Sequence, residues 1–151
     1  MAWIQGVYSK NDLTKRLQTI GSEKQLSKNL WRGLLVALNL VSVVLIVQQY
    51  DLNRLRQYFT NWTLLVTILY LLVAITASGS KSLGLLAFHH ILFETALLMN
   101  IVVVTVYWSC LHTDSRRECE GNSWKILNCY WAHIVPFASI LANFYFTDVV
   151  V

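Results

Sequence analysis

Charge is scarce in this chain: 13% of its 151 residues are Asp, Glu, Lys or Arg, 56% are hydrophobic, and the mean hydropathy is +0.49. Soluble domains carry about 25% charged residues, so the composition excludes an ordinary water-soluble fold. A polar stripe is also missing. Helices of a soluble bundle show polar residues at a period of about 3.6, whereas "VSVVLIV" and "LLVTILYLLVAI" show none. No CxxC pair occurs among Cys110, Cys119 and Cys129, which leaves a zinc site without its usual spacing. No metal site is expected. The N-terminal segment lacks the apolar core of a secretory signal peptide, and Asp12 and Glu23 interrupt any transit-peptide pattern.

What remains is apolar and long. A membrane-spanning helix needs about 20 mostly apolar residues, and four blocks have that size, near 33–50, 60–78, 83–111 and 126–148. The sequence therefore predicts an all-α polytopic membrane bundle of about four spans, residues 33–151. A basic, polar segment over residues 1–32 precedes it. Leu13, Leu17, Ile20 and Leu26 fall on one side of that segment, the pattern of a short interfacial helix.

Four spans bring both chain ends to one side. That side holds Lys10, Lys15, Arg16, Lys24, Lys28, Arg32 and Lys81, and the other holds Arg54, Arg56, Arg116, Arg117 and Lys125. The larger set favours an N-terminus on the cytoplasmic or matrix face. Basic residues massed before a span meet anionic headgroups, so the net charge of +4 is no sign of nucleic-acid binding. Lipid is the expected contact, with bound lipid the one small-molecule ligand the sequence suggests and no cofactor implied.

Inside the third block, "AFHHILFETALLMN" places His89, His90, Glu94 and Asn100 where lipid would surround them. A charged group there is costly, so it turns toward protein or water. His90 and Glu94 are four apart and share one helix face; His89 points about 100° away. With Asn39 in the first block, these are the expected interhelical hydrogen-bonding residues. A His-x-x-x-Glu pair also has metal-ligand spacing, but His133 is the sole further histidine within a span that could complete a set. His133 precedes the only proline, Pro136, which frees a backbone carbonyl about one turn earlier. Cys110 and Cys119 are spaced to close a small loop if that loop faces an oxidising compartment; otherwise the cysteines are two small buried residues and one loop thiol.

The run "FTNWTLLVTILYLLVAI", the tract ending "NIVVVTVYWSCLHTD" and "ILNCYWAHIVPFASI" together resemble the androgen-induced-protein and rolling-stone-like superfamily of polytopic membrane proteins, over residues of about 58–147. Some members of that superfamily hydrolyse lipid esters with an intramembrane threonine and a histidine. The resemblance implies Thr67 as nucleophile and His133 as base; a hydrolase reading of the residues adds Thr63 as the alternative nucleophile and Glu94 or His90 as groups that orient or tune that histidine.

Read from the residues, the first functional expectation is a non-catalytic accessory subunit that packs against other membrane-protein subunits and lipid, as in an energy-transducing assembly. The mitochondrial inner membrane is then its expected location, with the endoplasmic reticulum the alternative. A threonine and histidine dependent lipid-ester hydrolase is the second expectation. A proton or small-solute pathway through His90, Glu94 and His133 is the third, and the chain has neither the internal repeat nor the interrupted spans such pathways use.

Overall fold

A computed structural model describes residues 25–49, 57–78, 80, 82–119 and 121–147. The expected interfacial helix before Gln25, the basic residues Lys10, Lys15, Arg16, Lys24, Arg54, Arg56 and Lys81, and the final residues lie outside them. Among the described residues every regular element is helical: α1 (Gln25–Gln49), α2 (Phe59–Ala77), α3 (Leu83–Val106), a π-helical turn (Tyr107–Leu111), α4 (His112–Glu118) and α5 (Ser123–Thr147). The four long helices form an antiparallel bundle in which α1 packs on α2 and α5, and α3 packs on α2 and α5.

Three helical stretches are long and apolar enough to cross a membrane: Gln25–Gln48, Phe59–Ala77 and Leu83–Glu118. They mark an integral membrane protein. Helix α5 is as long as α1, 25 residues, but stands apart from those three because Asn128, Ser139 and Asn143 are buried in its inner face. Its outer face is apolar, with Trp124, Leu127, Ile134, Leu141 and Phe144 exposed.

Helix α1 begins at Gln25, well before the expected boundary at 33. The sequence reading took Lys28 and Arg32 as the charged edge of the span. Instead Arg32 is 6% exposed, inside the bundle, and so is not a headgroup contact. Its Nε donates to Asn143 Oδ1 at 3.1 Å, and Nη1 donates to the Ala74 carbonyl at 3.0 Å and Asn29 Oδ1 at 3.4 Å. With those acceptors in place the helix runs on through the charge.

The core is layered from end to end. At the Ser78–Ser82 end, Arg32 of α1 meets Asn143 of α5, whose Nδ2 donates to the Tyr70 hydroxyl of α2; His89 of α3 stacks on Tyr70 with ring centres 5.3 Å apart. In the middle, Asn39 Nδ2 donates to Ser139 Oγ at 2.9 Å and Asn100 Nδ2 donates to Thr67 Oγ1 at 2.9 Å. Leu35, Leu71, Phe93, Ala96 and Ile140 fill the space between them. Polar contacts of this kind between membrane helices contribute about 0.6 kcal/mol on average. Asn100→Leu, which leaves Thr67 bonded to the Thr63 carbonyl at 2.8 Å, is accordingly expected to lower stability by about 1 kcal/mol, read as a modest shift in a denaturation midpoint in micelles.

The stretch read as a loop between the third and fourth spans is largely helical. Cys110 and Cys119 are both free. Nine residues of mostly helical rise separate them by roughly 13 Å, beyond the reach of a disulfide, so the small-loop bridge is not formed. The reversal into α5 uses Gly121 at φ 81°, a backbone conformation that glycine adopts without a Cβ clash.

Candidate functional site

The first turn of α2, the C-terminal end of α3 and the N-terminal half of α5 meet at the end of the bundle away from Arg32. There His133 lies between a hydroxyl and a carbonyl: its Nε2 is 3.5 Å from Thr60 Oγ1, and its Nδ1 is 2.7 Å from the carbonyl of Cys129. A carbonyl oxygen can only accept, so Nδ1 carries the proton and Nε2 turns its lone pair to the threonine. This is the order nucleophile, base, orienting group. The hydroxyl contact is long, as such contacts commonly are before substrate binds.

Why the ring holds this pose follows from three local features. Cys129 and His133 are four apart on α5, so the side chain reaches back to its own helix. Pro136, buried one turn further on, has no N–H to donate, which leaves the carbonyl of Ala132 without its helical partner. The π-helical turn Tyr107–Leu111 then carries the Tyr107 ring over His133, with centres 3.7 Å apart and planes 17° apart. Single π turns inside α-helices are rare and are frequently found at functional sites. The Tyr107 hydroxyl lies 3.2 Å from Cys129 Sγ, so one tyrosine touches both the histidine and the residue that orients it.

Trp108, His112 and Tyr130 extend the aromatic cluster, with ring centres 4.6 to 5.6 Å apart. Phe59 and Trp62, both about half exposed, flank Thr60 on the outer face. Aromatic residues of this kind settle at the membrane–water boundary, which is the level of the site.

Of the residues singled out from sequence, Thr67 and His133 are drawn to different partners. Thr67 is fully buried and bonded to Thr63 and Asn100, while Thr63 donates to the Phe59 carbonyl at 3.1 Å. The hydroxyl at His133 belongs to Thr60, two turns earlier and about 10 Å along α2 from Thr67. His89 faces inward onto Tyr70. His90 and Glu94 pair with each other, Nε2 to Oε1 3.3 Å, on the outer face of α3, far along the helix from Tyr107. Asn39 and Asn100 are interhelical bridges. Thr60, Tyr107, Arg32 and Asn143 did not stand out in the sequence as site or bridging residues. The signals that were available are the four-residue step from Cys129 to His133 and the first-turn position of Thr60.

No family model matches this chain, and neither does any curated protein or solved structure.

Proposed function

We propose that this membrane protein is a hydrolase of lipid esters in which Thr60 is the nucleophile and His133 its general base. The observation that carries the reading is the 3.5 Å approach of the Thr60 hydroxyl to the unprotonated nitrogen of His133, with the other nitrogen tied to Cys129 O. A threonine hydroxyl attacks carbonyl carbon poorly unless a base takes its proton. The superfamily resemblance implies the same pair of residue types, and this reading takes Thr60 rather than Thr67 as the nucleophile because the Thr60 hydroxyl is the one beside His133.

In the first half-reaction Thr60 Oγ1 adds to the ester carbonyl as its proton passes to His133 Nε2. Collapse breaks the ester C–O bond, the departing alcohol takes that proton, and an acyl-threonine remains. Water then gives a proton to Nε2 and adds to the acyl carbonyl; the acid departs as Thr60 recovers its proton. Tyr107 holds the imidazole plane throughout, and the Cys129 carbonyl stabilises the imidazolium formed in each half. The site's level among the boundary aromatics, with Phe59 and Trp62 facing outward beside Thr60, suits an ester at the junction of headgroup and acyl chain.

The test is covalent capture. Protein in detergent micelles treated with a long-chain alkyl fluorophosphonate is expected to gain one adduct on the peptide containing Thr60, and to gain none when His133 is replaced by alanine. Absence of an adduct from both forms, together with no release of fatty acid from a fluorogenic lipid ester, would end the hydrolase reading.

A second reading, a non-catalytic accessory subunit of a larger membrane complex, is favoured by the outward position of Glu94, whose side chain is 58% exposed in the middle of α3. It requires a distinct membrane protein in fixed ratio after gentle extraction.

A further inference from the structure

Helix α3 has two seams on opposite faces. The inner one, His89, Phe93, Ala96, Asn100, Val103 and Tyr107, packs into the bundle and recurs at alternating steps of four and three. The outer one, Ala87, Ile91, Glu94, Leu98, Ile101 and Thr105, repeats the same alternation two residues out of phase. Steps of four and three are the spacing by which one helix packs along another in a left-handed pair. Ile91, Leu98 and Ile101 are 51%, 64% and 43% exposed, and a Cβ at Gly84, at the head of the outer seam, would meet only Ser82 Oγ at 3.9 Å. Small residues such as Gly84 and Ala87 let a second membrane helix approach closely.

Each seam carries a strongly hydrogen-bonding residue near its middle, Asn100 in the inner one, which also holds His89 and Tyr107, and Glu94 in the outer one. In the inner seam Asn100 finds Thr67 on α2. In the outer seam Glu94 has only His90 of its own helix among the described residues, bonded through Oε1. Its second oxygen is left for a donor from outside the bundle. No other ionisable side chain among the described residues is exposed at the middle of a long helix. A carboxyl at that depth is costly to leave against acyl chains, and a single polar residue in an apolar seam fixes the register and number of helices that pair.

We propose that the outer seam of α3 is the contact between two copies of this chain, joined as a parallel pair about an axis along the membrane normal. All copies share one orientation in the membrane, so such a pair is isologous and seam residues meet their own counterparts at the same depth. The chemistry of the seam is self-complementary. Glu94 supplies the acceptor and His90, one turn away, the donor, so the two His90–Glu94 pairs can exchange partners across the axis. A partner helix of another protein would need a donor within a turn of Glu94, whereas a second copy already carries one in His90.

The experiment uses the full chain in its membrane and position-specific oxidation. Leu98→Cys and Ile91→Cys are expected to form a doubled band with copper phenanthroline. Phe88→Cys, exposed on α3 but off the seam, is expected to give no more of that band than the parent with its native cysteines. A bond between like positions requires two copies, so contact with another segment of the same chain cannot produce it. Glu94→Leu in the Leu98→Cys protein is expected to weaken association by roughly tenfold, the effect of losing two membrane hydrogen bonds of about 0.6 kcal/mol each, one from each copy. Equal cross-linking on and off the seam, or a Leu98→Cys cross-link to a different protein, would overturn the proposal. So would a Leu98→Cys dimer band that Glu94→Leu leaves undiminished.

Discussion

Thr60→Ala is expected to lower lipid-ester turnover by roughly 10⁴-fold to 10⁶-fold, the scale on which members of a nucleophile and base unit act, with the protein's yield and helicity unchanged. Thr60 sits in the first turn of α2 and is only half-buried, so its loss leaves no cavity in the core. His133→Ala is expected to match it, and the double variant to be no worse than either alone, because the two groups act as one unit. Thr67→Ala is the discriminating control. Thr67 is fully buried and bonded within the bundle, so its removal is expected to reduce stability while turnover per folded molecule stays near that of the unaltered protein. Full activity in Thr60→Ala would remove Thr60 from the mechanism.

Stranding the buried guanidinium is expected to be the largest stability effect in the molecule. Asn143→Leu removes the Oδ1 that accepts from Arg32 Nε and the Nδ2 that donates to Tyr70. Among the described residues no carboxylate contacts Arg32, which relies on Asn143, Asn29 and Ala74 O alone. A hydrogen bond to a charged group contributes about 1.5–3 kcal/mol, and a buried charge left short of partners costs more than one removed outright. Asn143→Leu is therefore expected to lower stability by about 3 kcal/mol. Arg32→Met should cost less, and adding it to Asn143→Leu should recover part of the loss. The check is a double-mutant cycle of unfolding in mixed micelles; equal losses for the two single variants, summing in the double, would show that Arg32 and Asn143 do not depend on each other.

The apolar blocks made the bundle legible because membrane helices announce themselves by length and uninterrupted hydrophobicity, and α2 and α3 fall within a residue or so of their expected starts. Helix α1 was misjudged at its start for one reason. Arg32 looks like a boundary until Asn143, more than a hundred positions away, is known to face it. Helix α5 shows the converse, since its buried asparagines and serine dilute an otherwise apolar span. The angular separation of His89 from His90 and Glu94 was readable from helical geometry alone. Thr60 and Thr67 were not separable in that way: seven residues is almost two full turns, so both occupy nearly one face, and only the height of His133 on α5 selects between them. The π-helical turn at Tyr107 left no mark in the sequence that composition or spacing could detect.

The tiers also divide the bundle mechanically. At one end Arg32, Tyr70, His89 and Asn143 draw in all four long helices. At the other, α2 meets α5 through the long Thr60–His133 contact and an apolar cluster of Ile46, Leu64, Ile68 and Ala132, and α3 and its π turn meet α5 through stacked rings and the Tyr107–Cys129 contact. Interhelical polar bonding is thus concentrated away from Thr60, whose end is held mostly by rings and apolar side chains. Under the hydrolase reading, a lipid reaching Thr60 from the bilayer would have only ring and apolar contacts to displace between the helix ends, while the Arg32 tier holds their far ends together.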